Sequence, residues 1–344
     1  MEENKEAKNE EKKKFRVNIH VVFGVVVVLM LAVIVSKFIG FGRVISQDEI
    51  DAIPAPENTD TEVLDDLLPV IAEDDGTFPE DDGVTTIVCL GNSPFSDDRS
   101  SEDNLCNLLA SRTGATVYNC SIPNSYLTAC DATYQPSVYP MDAFSFYFLT
   151  TIFAEGNTGI IDQAEEATFG LSEDTKESLA LLQSIDFRTV DAIVIMYDGS
   201  DYFLNRVCYR EDQPDSPNTY TGALTSGVNL IQEKFPWIRV IVMTPTYAYA
   251  VAEDGSYVSS DKQQNSQTNY LSTYVLMEAQ TAYSLGVSLV DVFYGGVHED
   301  IASDYLTDNI HLNQKGRELV LSRMIDAIQK YTPIYGFQSN SESQ

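Results

Sequence analysis

Histidine is the scarcest chemistry-bearing residue of this 344-residue chain, with only His20, His298 and His311 present. His20 sits at the edge of a long apolar run, so His298 and His311 are the candidate bases of the remaining chain. His311 has the richer setting. Asp308 stands three residues ahead of it, and on a single turn its carboxylate can fix the imidazole tautomer and stabilise the imidazolium formed on proton transfer. Such a base activates a serine hydroxyl. Ser93 is the candidate nucleophile, because Gly91 lets the chain turn sharply after an apolar run and present the hydroxyl. Turn serines are commonly caps, and a lone His–Asp pair is commonly a surface pair, so the case rests on the combination. His298, in Gly296-Val297-His298-Glu299-Asp300, reads as a solvated turn. No metal ligand set and no cofactor is expected.

The elements that must position these groups follow from periodicity. Short β-rich runs at Thr85–Leu90, Thr116–Asn119, Ala192–Tyr197, Arg239–Thr244 and Ser288–Val292 alternate with amphipathic stretches. The stretches Ser101–Arg112, Gly222–Phe235, Asn265–Leu285 and Gln314–Tyr331 are predicted helices. The pattern predicts an α/β fold, a three-layer α/β/α sandwich with a mainly parallel five-stranded sheet. Such sheets bind ligands beyond the carboxyl ends of their strands. That rule selects Gly91-Asn92-Ser93, Ser121–Ser125, Asp198–Asp201 and Asp308–His311. Phe144-Ser145-Phe146-Tyr147-Phe148 is dense enough in aromatics to be core rather than cleft. Tyr247 and Tyr249, after the fourth strand, are better placed to border a site.

From about residue 84 to 331 the chain resembles the SGNH/GDSL hydrolases, whose α/β sandwich carries four short motif blocks in this order. The first block, usually Gly-Asp-Ser, is Gly91-Asn92-Ser93; the last, Asp-x-x-His, is Asp308–His311 and continues with Leu312-Asn313. The resemblance implies Ser93 as nucleophile, with Asp308 and His311 completing the triad. The second block normally supplies a glycine N–H to the oxyanion, and Asn124 in Asn119–Ser125 stands at that position. Asn tolerates left-handed backbone better than most residues. The third block, usually Gly-x-Asn-Asp, is Asp198-Gly199-Ser200-Asp201. Asn124, Ser200 and Asp201 are therefore the expected oxyanion and binding residues. Ser200 offers a shorter, less directional donor than asparagine, and Asp198 brings negative charge toward a developing oxyanion unless it points away or pairs with Arg206.

Residues 1–16 carry six Lys or Arg, and the run Val21–Phe41 is interrupted only by Ser36 and Lys37. About 20 apolar residues span a bilayer core as a helix, so residues 17–41 are predicted as one N-terminal transmembrane helix. A cleaved signal peptide would have a shorter apolar core ending in a small-residue site, which this run lacks. The basic leader 1–16 would stay cytoplasmic, leaving the bulk of the chain outside a plasma membrane. Residues 42–83 read as an acidic stalk in which Leu67–Ala72 could pack on the domain. The catalytic domain is expected at 84–335 and a polar tail at 336–344.

The formal charge is −31, from 52 acidic and 21 basic residues, which argues against nucleic-acid partners. Five cysteines lack metal spacing, and Cys120 with Cys130 is the one suggested pair. The expected function is a membrane-tethered serine esterase acting on an acylated glycan or another small ester, with O-acetyl the first candidate group. A catalytically weak binding domain and an O-acyltransferase are the alternatives.

Overall fold

The computed structural model describes residues 62–71 and 78–334. The expected leader, transmembrane helix (17–41) and tail lie outside the described residues. Among the described residues no helix is long and apolar enough to cross a membrane.

The chain runs β1 (Thr86–Gly91), α1 (Ser93–Ser96), α2 (Leu105–Thr113) and β2 (Thr116–Asn119), followed by α3 (Phe146–Glu155), α4 (Gly159–Thr168) and α5 (Glu173–Ser184). Next come β3 (Ala192–Met196), α6 (Ser200–Phe203), α7 (Tyr220–Lys234), β4 (Arg239–Met243) and a hairpin of β5 (Tyr249–Val251) and β6 (Tyr257–Ser259). Then follow α8 (Leu271–Leu285), β7 (Ser288–Val290), α9 (Ala302–Tyr305) and α10 (Gln314–Tyr331). All five expected strands form, and they pair in parallel in the order β2-β1-β3-β4-β7. This is the flavodoxin-like order, with its topological switch beside β1.

The strands are buried because helices cover both faces: α2 packs on α10, while α3, α7 and α8 pack in a row. β1, β3 and, after Arg239, β4 are accordingly continuous apolar or small-residue runs without alternation, as parallel central strands require. Phe144, Phe146 and Phe148 are core residues, as expected. A Cβ on Gly227 would lie 2.3 Å from the Phe146 ring, so a glycine in α7 is what lets α3 approach so closely.

Residues 62–71, read as part of a solvated stalk, run along the free edge of β7. Asp66 exchanges both backbone hydrogen bonds with Leu289, and Asp65 pairs with Arg323 at 2.6 Å. Buried Arg239 locks the strip down by donating to the Leu68 carbonyl at 2.9 Å and to the Ala327 carbonyl at 2.8 Å, which ties strip, sheet and α10 together. The suggested Cys120–Cys130 pair is not formed: all five cysteines are free, and Cys120 is buried while Cys130 is half-buried.

Candidate active site

The nucleophile candidate is presented by a turn that only glycine permits. Gly91 has φ +154°, and a Cβ there would lie 1.8 Å from the Met196 carbonyl oxygen of the neighbouring strand. The chain then passes through Asn92, whose carbonyl accepts from Phe95 and Ser96, and Ser93 opens the short helix α1. β2 continues to follow β1 beyond its last pair, with Ile122 N–H donating to the Gly91 carbonyl at 2.9 Å. Asn92 Nδ2 reaches across to the Ser125 carbonyl at 3.0 Å. The loop carrying Asn124 is thereby held beside Ser93. Asn124 has φ +55°, the left-handed conformation in which glycine or asparagine is least strained.

His311 and Asp308 sit on a tight connection between α9 and α10. Leu306 bridges Leu312, and Thr307 N–H donates to the His311 carbonyl at 2.7 Å. Asn313 caps α10 through Gly316 N–H. Asp308 Oδ1 accepts from the N–H groups of Ile310 and His311, which aims Oδ2 at His311 Nδ1, 2.7 Å away. With Nδ1–H donating to that carboxylate, Nε2 is the basic nitrogen. Burial pulls the His311 pKa down, but the Asp308 hydrogen bond and the charges of Asp97, Asp308 and Asp198 outweigh it, and the net shift is upward. Asp308 shifts down: burial opposes this, but the two N–H groups and the imidazole prevail.

The Ser93 hydroxyl donates to Asp198 Oδ2, and it makes no hydrogen bond to His311. Asp198 therefore neither points away from the site nor pairs with Arg206, the two arrangements that would have spared the oxyanion its charge. Its Oδ1 accepts from Asn92 Nδ2 at 2.9 Å and from Ser200 N–H at 2.9 Å, and its own N–H donates to Asn92 Oδ1 at 2.9 Å. His311 feels the charges of both Asp97 and Asp198, which brings the base near the carboxylate that holds the Ser93 hydroxyl. The backbone N–H groups of Ser93 and Asn124 have no acceptor among the described residues, and neither does the Ser200 hydroxyl.

Asp201 was expected beside Ser200 at the binding site, but its carboxylate is committed elsewhere. It is buried and accepts from Leu127 N–H at 3.0 Å, Thr128 N–H at 3.1 Å and the Thr128 hydroxyl. It holds the segment that follows Asn124, and burial raises its pKa to about 6.

Sequence reasoning missed two parts of this site. Asp97, one turn beyond Ser93, was not singled out, because nothing local marks a carboxylate that acts on a histidine some 200 residues away in the chain. The β5–β6 hairpin was missed as well. Tyr249 exchanges hydrogen bonds with Asn309, two residues before His311, and its ring stacks on Tyr257 at 5.7 Å. Of the two tyrosines expected to border the site, Tyr249 is half-buried on this hairpin, whereas Tyr247 is buried beneath it. Exposed Tyr257 carried no signal, since strands of three residues are too short for a readable alternation.

No protein-family model and no curated protein matches this sequence. Solved structures do. A Lactobacillus plantarum protein matches at a TM-score of 0.51 and 14% identity, over 72% of this chain and 97% of its own. Another crystal structure matches at 0.51 and 16% identity, over 73% of this chain and 99% of its own. A carbohydrate acetylesterase from Sinorhizobium meliloti aligns at 0.44 and 12% identity, over 72% and 99%. At these identities the likeness is one of fold.

Proposed function

We propose that this chain is a serine hydrolase of the SGNH/GDSL type that cleaves a short acyl ester, O-acetyl on a glycan being the first candidate. In this reading residues 17–41 tether it to a plasma membrane with the catalytic domain outside. The observation that carries the proposal is the Asp308–His311 pair, aligned at 2.7 Å, together with a turn-mounted serine held by a carboxylate whose charge His311 feels. The unused N–H groups of Ser93 and Asn124 supply what an oxyanion needs.

The Ser93 hydroxyl leaves Asp198 by rotating about χ1 and gives its proton to His311 Nε2. Its oxygen then bonds to the acyl carbon. The carbonyl oxygen takes the developing charge and accepts from the Ser93 and Asn124 N–H groups and from the Ser200 hydroxyl. Collapse expels the alcohol, which receives the proton from His311. Water, deprotonated by the same imidazole, then releases the acid and restores Ser93. Asp308 stabilises the imidazolium in both halves without itself taking the proton.

The full chain should react with a fluorophosphonate probe and turn over acetylated glycans, and Ser93→Ala should abolish both. A folded wild-type chain that is neither labelled nor active overturns the reading. One observation favours a second reading, a weak or inactive domain that binds glycan: the Ser93 hydroxyl is engaged by Asp198 rather than by His311. Glycan binding that survives Ser93→Ala, without turnover in the wild type, would favour it. An O-acyltransferase would use the same acyl-enzyme, and product analysis with added sugar acceptor separates it from a hydrolase.

A further inference from the structure

Asp198 is 95% buried, and the two oxygens of its carboxylate are differently supplied. Oδ1 has two permanent donors, Asn92 Nδ2 and Ser200 N–H, both belonging to the scaffold. Oδ2 has a single donor, the Ser93 hydroxyl. No lysine, arginine or histidine lies within ion-pairing distance of Asp198 among the described residues, and the guanidinium of Arg317, which acts on Asp97, is engaged by Asp98 at 2.5 Å. Asp97, Asp308 and Asp198 all act on His311, and Arg317 acts on Asp97.

This arrangement has a chemical consequence once Ser93 reacts. When Oγ bonds to the acyl carbon its proton has gone to His311, and Asp198 Oδ2 loses its only donor. A buried carboxylate oxygen without a donor is costly, more so beside a developing oxyanion. The missing donor must come from the molecule bound to Ser93, and an α-substituent of the acyl group is the near candidate, three bonds from Oγ through the acyl carbon and the α-carbon. A cation there also meets the charge of the Asp198 carboxylate, as a neutral acyl group does not.

We propose that Asp198 is a specificity-determining residue that accepts from a protonated amine on the carbon next to the scissile carbonyl, so that the preferred substrates are α-aminoacyl esters. This rests on the serine-hydrolase reading above and narrows its acyl group. Asp198 takes the ammonium donor as the Ser93 proton departs, and Asn92 and Ser200 hold the carboxylate in place while it does so.

The test compares two aryl esters of one phenol, an alanine ester and an isobutyrate ester, which differ by ammonium against methyl. Rates are taken with the full chain after subtracting non-enzymatic hydrolysis. We expect the alanine-to-isobutyrate ratio of kcat/KM to exceed the non-enzymatic ratio at least tenfold. In Asp198→Asn the ratio should collapse to the non-enzymatic one, with the isobutyrate ester turned over faster than by wild type. A wild-type ratio equal to the non-enzymatic one, or a ratio unchanged in Asp198→Asn, overturns the proposal and leaves the hydrolase reading standing. Turnover of neither ester, with no labelling of Ser93 by a fluorophosphonate, overturns both. Competitive inhibition of the wild type by alaninamide and isobutyramide makes the comparison without a variant, and equal inhibition by the two overturns the proposal.

Discussion

His311 must be neutral to take a proton, and three carboxylates around it hold that proton to higher pH than an ordinary imidazole does, against the opposing effect of burial. Activity in kcat/KM should therefore fall as pH drops through a value above the usual 6.5, not below it. Asp97 contributes by charge alone, without a hydrogen bond to the ring, so Asp97→Asn removes a negative charge and lowers the imidazole pKa. The acid limb of the profile should move to lower pH in that variant. An acid limb that stays in place would show that Asp97 does not act on the base. At the same scale Asp198 holds the Ser93 hydroxyl.

Strand ends and turns set the positions of these groups. β1 delivers Ser93 through Gly91, which lies so close to the Met196 carbonyl that there is no room for a Cβ. Gly91→Ala adds both that clash and a backbone conformation unfavourable for a residue with a side chain. It should cost roughly 3–4 kcal/mol in denaturant unfolding, in the upper range for single substitutions. A variant as stable as the parent would mean that β1 and β3 can separate without loss. The connection from α9 to α10 is built from local signals: the Asp308 turn, then Leu312 bridging back to Leu306, then Asn313 as a helix cap. Asp201 acts on the third element, holding the segment after Asn124 by three hydrogen bonds.

Across the whole molecule, burial of carboxyl groups sets how stability responds to pH. Glu278 in α8 is buried and accepts one hydrogen bond, from the Tyr220 hydroxyl of α7 at 3.0 Å. Burial raises its pKa to about 8, and burial likewise raises that of Asp201 to about 6. In the unfolded chain both groups ionise near pH 4. Above that value the unfolded state binds fewer protons than the folded one, so stability falls with rising pH until the folded groups ionise too. Thermal melting should drop between about pH 4.5 and pH 8, each unit of pKa elevation being worth about 1.4 kcal/mol. Glu278→Gln should flatten most of that slope above pH 6. A wild-type stability that rises through this interval would exclude the assignment. The strip 62–71 is part of the same body, since Arg239 links it to the sheet and to α10.

The sequence by itself determined the five strands, because parallel buried strands need unbroken β-rich apolar runs, and these are visible in any window. It also determined the Asp308–His311 pair, because its geometry closes within one turn of chain. Ser93, Asn124 and Ser200 were legible as strand-end residues from motif order. Tertiary structure alone decided which groups meet across the pocket. Asp198 and Ser93 are 105 residues apart, and only the adjacency of β1 and β3 brings that carboxylate onto the hydroxyl. The turn of Asp201 toward Leu127 and Thr128, the stalk segment laid on β7 and the hairpin against Asn309 are likewise contacts between distant segments. Composition and periodicity carry no record of such partners, because each depends on the position of a second segment and not on the residues beside it.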